Sequence, residues 1–186
     1  MNLLFPRISG RQLLSMLGVT AAGCLIAGLY GILHDQITYT ISPEYFTRLK
    51  FDQFDYAEPA NGSQREFAAR IGFLATWWVG GITAWVFARV GIMREQRIPP
   101  LREVAVGFVI VFTTSLLSAL CGWIWGQCRK GTGHSDGWLG WMHSLGVTES
   151  GDFMTVAYIH NASYIGGVLG TFFGLFYLAK MRKRRG

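Results

Sequence analysis

Four stretches of the chain carry no Asp, Glu, Lys or Arg: Gln12–Leu33, Ile71–Ala88, Val104–Cys128 and Phe153–Ala179. They run for 22, 18, 25 and 27 residues. A helix needs about 20 apolar residues to cross a hydrocarbon core about 30 Å thick. Buried helices of soluble proteins reach such lengths, but four in succession in 186 residues leave no polar face for water. The pattern predicts an all-α membrane protein, a four-helix transmembrane bundle forming a single domain over 1–186. Its spans fall near 12–34, 68–89, 104–127 and 154–179, with outer loops at 35–67 and 128–153 and a cytoplasmic loop at 90–103.

The first outer loop has a pattern of its own. Ile37, Tyr39 and Ile41 alternate with Thr38, Thr40 and Ser42, which predicts a short extended segment. Ser42-Pro43-Glu44 then reads as a helix start. Ser caps, Pro fits the first turn, and Glu suits the positive end of the dipole. Tyr45, Phe46, Leu49 and Phe54 supply one apolar face, so a short amphipathic helix is expected over the outer mouth of the bundle. It would act as an interfacial anchor or as a lid. Asn61-Gly62-Ser63 marks a turn before span 2.

Small residues recur inside the spans. An offset of 86 maps Gly80, Ala84 and Ala88 of span 2 onto Gly166, Gly170 and Gly174 of span 4. An offset of 91 maps Ala27 and Gly31 of span 1 onto Ser118 and Gly122 of span 3. The match suggests two tandem helical hairpins of one orientation, related by an axis along the membrane normal. The alternative is coincidence between Gly-rich apolar segments. Lipid tails give helices no hydrophobic reason to associate, so small faces permit close packing. Spans 2 and 4 are expected to pack through these faces, within one bundle or between protomers.

Charge gives the orientation. The chain holds 17 Lys+Arg and 11 Asp+Glu, a net +6. Arg7, Arg11, Arg89, Arg94, Arg97, Arg102 and the Lys180–Arg185 cluster put 11 basic residues on one side and leave 6 on the other. The basic side is cytoplasmic by the positive-inside rule, so both termini are expected in the cytoplasm. With the acidic residues included, the inner segments carry +9 and the outer ones −3. The excess is therefore a difference between two faces and not the footprint of a nucleic-acid binder. A signal peptide ending near Ala21-Ala22-Gly23-Cys24 is the alternative for span 1, but the apolar run continues through Tyr30. Trp123, Trp125, Trp138 and Trp141 suit an outer interfacial belt.

The run His34-Asp35-Gln36-Ile37-Thr38-Tyr39-Thr40-Ile41-Ser42-Pro43-Glu44-Tyr45-Phe46 resembles a segment of a family of small, uncharacterised bacterial membrane proteins. The resemblance covers these 13 residues and, loosely, the four-span layout. It implies the bacterial cytoplasmic (inner) membrane and carries over no activity, cofactor or catalytic residue.

All four histidines (His34, His134, His143 and His160) fall on the outer half. Ionisable residues at membrane depth are functional candidates by default. If spans 1 and 4 are neighbours, His34, Asp35 and His160 converge near the outer boundary, with Glu44 above them. Imidazole and carboxylate suit a transition metal. The alternatives are a satisfied polar cluster, a proton relay or a ligand site; a bis-histidine haem ranks lower, without a CxxCH motif. No HExxH, His-x3-His or CxxC spacing is present. Cys121 and Cys128 would lie about 10.5 Å apart along one helix, beyond disulfide reach.

Three functions remain. The first is a non-enzymatic accessory or scaffold protein packing with itself or with a larger membrane complex. The second is an outer-face metal or redox site on His34, Asp35 and His160. The third is a small oligomeric transporter or channel.

Overall fold

The computed structural model describes residues 8–55, 63–95, 99, 101–133 and 137–183. Arg7, Glu58, the Asn61-Gly62 pair, Arg97, Pro100, His134, Asp136, Arg184 and Arg185 lie outside them, as do the side chains of Arg94, Arg182 and Lys183. Four long helices dominate: α1 (Gly10–Ile41), α4 (Gln64–Glu95), α5 (Leu101–Thr132) and α7 (Ser150–Lys183). Between α1 and α4 lies an arch made of α2 (Pro43–Tyr45), a π-helical turn (Phe46–Lys50) and α3 (Phe51–Gln53). The short α6 (Leu139–Ser144) precedes α7. Among the described residues all regular structure is helical. Each long helix is long and apolar enough to cross a membrane, over Gly10–Ile41, Gln64–Val90, Leu101–Thr132 and Ser150–Met181. At 1.5 Å per residue these helices exceed the roughly 30 Å hydrocarbon core, so their ends project beyond it.

The helix ends follow local chemistry. Ser9 caps α1 in a capping box: its amide donates to Gln12 Oε1 at 2.8 Å and its Oγ accepts from the Gln12 amide at 3.3 Å. At the other end the helix continues to Ile41, and only Ser42 is extended (φ −142°, ψ 98°). The extended segment expected over 37–42 is thus the last turn of α1. Its threonines are satisfied inside a helix, Thr38 Oγ1 donating to the His34 carbonyl (3.1 Å) and Thr40 Oγ1 to that of Gln36 (3.0 Å). Thr38 and Tyr39 face inward while Ile37 is exposed, so a helical face produced the apparent alternation. The helix start at Ser42-Pro43-Glu44 is as expected, with Ser42 Oγ accepting from the Tyr45 amide at 3.3 Å.

The long helices pair as two antiparallel hairpins, α1 with α4 and α5 with α7. Glycine sets the intimacy of each. A Cβ at Gly31 would strike the Gly72 carbonyl and Thr76 Oγ1, and one at Gly80 would strike Ala27 and the Gly23 carbonyl. In the second hairpin a Cβ at Gly122 would lie 2.5 Å from the Tyr158 carbonyl and 2.9 Å from Ala162 Cβ. One at Gly166 would lie 2.5 Å from Ser118 Oγ and 2.8 Å from the Thr114 carbonyl. The offsets of 91 and 86 carry Gly23, Ala27 and Gly31 onto Thr114, Ser118 and Gly122, and Gly72, Thr76 and Gly80 onto Tyr158, Ala162 and Gly166. Offsets read from residue identities alone therefore map the contacts of one hairpin onto those of the other. Coincidence between Gly-rich segments would not reproduce the register.

The structure supplies the partners of the small faces of spans 2 and 4, and they lie within one bundle. Gly80 faces α1, and Gly166 and Gly170 face α5. Ala84 approaches Gly23, and Ala88 is buried in a cluster with Met16. Gly174 reaches across to Phe87 of α4, and Ala84 shares a buried cluster with Phe108 of α5 and Leu178 of α7. Close backbone approach serves the partners within each hairpin. The hairpins meet through side chains: Tyr30 OH with Ser115 Oγ (3.0 Å), Thr83 with Thr171 (3.4 Å), and Phe87 edge-on to Phe108.

The largest buried cluster sits at the arch end. It includes Tyr39, Tyr45, Phe46, Phe51, Met142 and Phe153. In an α-helix, residues five apart point about 140° away from each other. The wider π turn, closed by the Phe51 amide on the Phe46 carbonyl, narrows that angle and buries both rings. The arch thus lies apolar side down over the bundle, as expected. Trp138 stacks on Tyr158, whereas Trp123, Trp125 and Trp141 are exposed. Cys24, Cys121 and Cys128 are free.

Candidate functional site

The last turns of α1 place His34, Asp35 and Thr38 on one face, and α7 presents His160 opposite them. His34, Asp35 and His160 each offer a ligand atom, all within 4.8 Å of one another. His160 Nε2 lies 3.8 Å from Asp35 Oδ1 and 3.2 Å from Thr38 Oγ1, and its Nδ1 lies 3.3 Å from Tyr164 OH. Thr38 Oγ1 donates to the His34 carbonyl, so it accepts from His160 Nε2–H, and the Tyr164 hydroxyl donates to Nδ1. His160 is 3% and Asp35 5% exposed. The His34 and His160 rings stand 4.8 Å apart, tilted by 52°. Both ring nitrogens of His34 are buried without a hydrogen-bond partner among the described residues. Buried polar atoms are normally paired, so an orphaned imidazole points to a missing ligand or ion.

A second layer closes the site. The Tyr45 ring lies 5.0 Å from that of His160, with Phe46 beyond, and the Lys50 ammonium sits 5.8 Å from the Tyr45 centroid. Burial lowers the Lys50 pKa from the ordinary lysine value, an effect the Asp35 carboxylate partly offsets. Burial raises that of the Tyr45 phenol.

Glu44, expected above the histidines, is engaged elsewhere. Its carboxylate accepts from the Thr148 hydroxyl (2.7 Å) and from the amides of Thr148 (3.1 Å) and Glu149 (2.8 Å). These donors lead into the N-terminus of α7, where amides lack helical partners. Glu44 is therefore the latch that ties the arch to α7. Partial burial pushes its carboxyl up, but the hydrogen bonds from Thr148 and Glu149 and the nearby Arg48 outweigh it and hold the group below the ordinary glutamate value. A depressed folded value stabilises the fold above the unfolded pKa, and that contribution is lost as pH falls through the folded one. Glu44→Gln is expected to flatten the acid limb of stability against pH, measured as the melting temperature in detergent below about pH 5. An acid limb unchanged by the substitution would assign it to other groups.

The site lies at the edge of the apolar exterior. Large exposed apolar side chains run from Leu13 to Ile37 on α1, but on α7 they begin only at Tyr164, because the arch and α6 cover the turns before it. His160 therefore stands one turn before the exposed apolar band of α7. The site also breaks the repeat. Under the same offsets His34 corresponds to Trp125, Asp35 to Gly126 and His160 to Leu74, so the constellation occurs in a single copy.

Convergence of His34, Asp35 and His160 was legible once spans 1 and 4 were assumed adjacent. Thr38 and Lys50 belong to the site without standing out in the sequence. The i, i+4 spacing of Thr38 from His34 was the available signal, masked by the strand-like alternation. Lys50 had none, because its place depends on the arch folding back. Comparison of the chain with protein-family models, curated proteins and solved structures yields no match.

Proposed function

We propose that this is a multi-pass protein of the bacterial cytoplasmic membrane, with both termini cytoplasmic, that holds one transition-metal ion at its outer face between His34, Asp35 and His160. The observation that carries the reading is the half-buried His34, whose two buried ring nitrogens have no hydrogen-bond partner among the described residues, beside a second imidazole and a carboxylate. Two imidazoles and one carboxylate form the donor set of non-haem iron centres and of open zinc sites. Such a set leaves coordination positions free for an exogenous ligand, which makes the ion a reactive or redox centre. Metal–nitrogen distances near 2.1 Å allow ligand atoms at most about 4.2 Å apart, so binding asks for a small closure of the side chains. Tyr164 on Nδ1 of His160 fits the outer hydrogen bond that orients a ligating imidazole.

The small-residue faces are occupied inside the hairpins. The test is elemental analysis of protein extracted in mild detergent, with an absorption spectrum. The expected result is close to one transition-metal ion per chain, removed by chelator and restored by added metal. Protein that holds none and takes up none from iron(II), zinc or nickel would end the reading.

A further inference from the structure

The arch adds a cation to the site. The Lys50 ammonium is half-buried beside Tyr45, close enough to Asp35 for their charges to interact, and among the described residues it has no carboxylate within ion-pair distance. With a divalent ion, an ionised Asp35, a protonated Lys50 and neutral imidazoles leave two positive charges uncompensated in a poorly solvated place. Buried charge is stable only when paired. The loaded site therefore selects an anion that reaches both the metal and Lys50.

The site's position says where that anion comes from. It lies at the edge of the exposed apolar band, and Tyr164, hydrogen-bonded to His160, is 48% exposed at the start of that band on α7. A molecule with its chain in the bilayer and its head at the boundary fits this placement. Resting on the metal reading, we infer that the ion is bound together with the oxyanion head of a membrane amphiphile, the head lying between the metal and Lys50.

The experiment measures cobalt(II) affinity of the full chain in phosphatidylcholine nanodiscs, alone and with oleate, oleyl alcohol or acetate. Oleate is expected to tighten cobalt binding by about tenfold or more, while the neutral alcohol leaves it unchanged and acetate at equal concentration has a much smaller effect. Lys50→Met is expected to bind cobalt at least as tightly as the wild type without oleate, because a competing cation has gone, and to lose the oleate enhancement. Arg48→Met removes the same charge from an exposed position of the arch and should keep the enhancement. It also controls for metal drawn to a negative membrane surface.

Cobalt binding that ignores oleate, or an enhancement that survives in Lys50→Met, would overturn the inference while leaving the metal site intact. Equal effects of acetate and oleate would overturn the amphiphile and leave a water-borne oxyanion. No cobalt binding under any condition would overturn the metal reading itself.

Discussion

Replacing His34 by leucine is expected to stabilise the metal-free protein and to abolish its metal content. The two effects have one cause. Both ring nitrogens of His34 are buried and unpaired among the described residues, and an unsatisfied buried polar group costs about 1–3 kcal/mol. Leucine fills similar space without that cost, so the melting temperature of the apoprotein in detergent should rise by a few degrees. Metal affinity should fall by more than the roughly 10–100-fold typical of an outer-sphere partner, because one of three ligands is gone. His160→Ala is the contrast. It removes contacts to Thr38, Tyr164 and Asp35 and opens a hole beside Tyr45 and Phe46. That variant should lose metal and about 3 kcal/mol of stability together. If His34 were only a packing residue, leucine would leave the metal content unchanged, and elemental analysis of the two variants decides.

Valine at Gly31 should destabilise the fold by about 3 kcal/mol or more, and valine at Gly122 should do the same, because overpacking against backbone cannot relax by a rotamer change. The new Cβ would meet the Gly72 carbonyl in the first case and the Tyr158 carbonyl in the second. Gly18 and Gly167 are also helical, but a Cβ there meets nothing within 4 Å. Alanine at either should be neutral or slightly stabilising, since glycine inside a helix costs about 1 kcal/mol relative to alanine. Melting temperatures in detergent check the set. A Gly31→Val protein as stable as Gly18→Ala would mean that the hairpins are not held by close backbone contact.

Which features were legible in the sequence depended on the range of the interaction behind them. The spans were, because a run such as Val104–Cys128 is a local property and the bilayer sets its length. The end of α1 was not, because the alternation over residues 37–42 fits a strand or one helical face equally well over so few positions. Glu44 could be read as a ligand, but its role as a latch needs Thr148 and Glu149 brought to it from more than a hundred residues away. The small residues announced close packing without naming the partner.

The sequence by itself determined four apolar helices, a charge difference between two sides and the offsets that relate the two hairpins, all of which follow from composition, period and spacing along the chain. Only the tertiary structure decided which helices share a face. The closest backbone-to-backbone approaches at glycine fall within the hairpins, α1 with α4 and α5 with α7, so the two hairpins meet through side chains. At that meeting the end of α1 faces the early turns of α7, and His34, Asp35 and His160 come within reach of one metal ion. The arch that closes over them adds Lys50, a cation whose place no local pattern encodes.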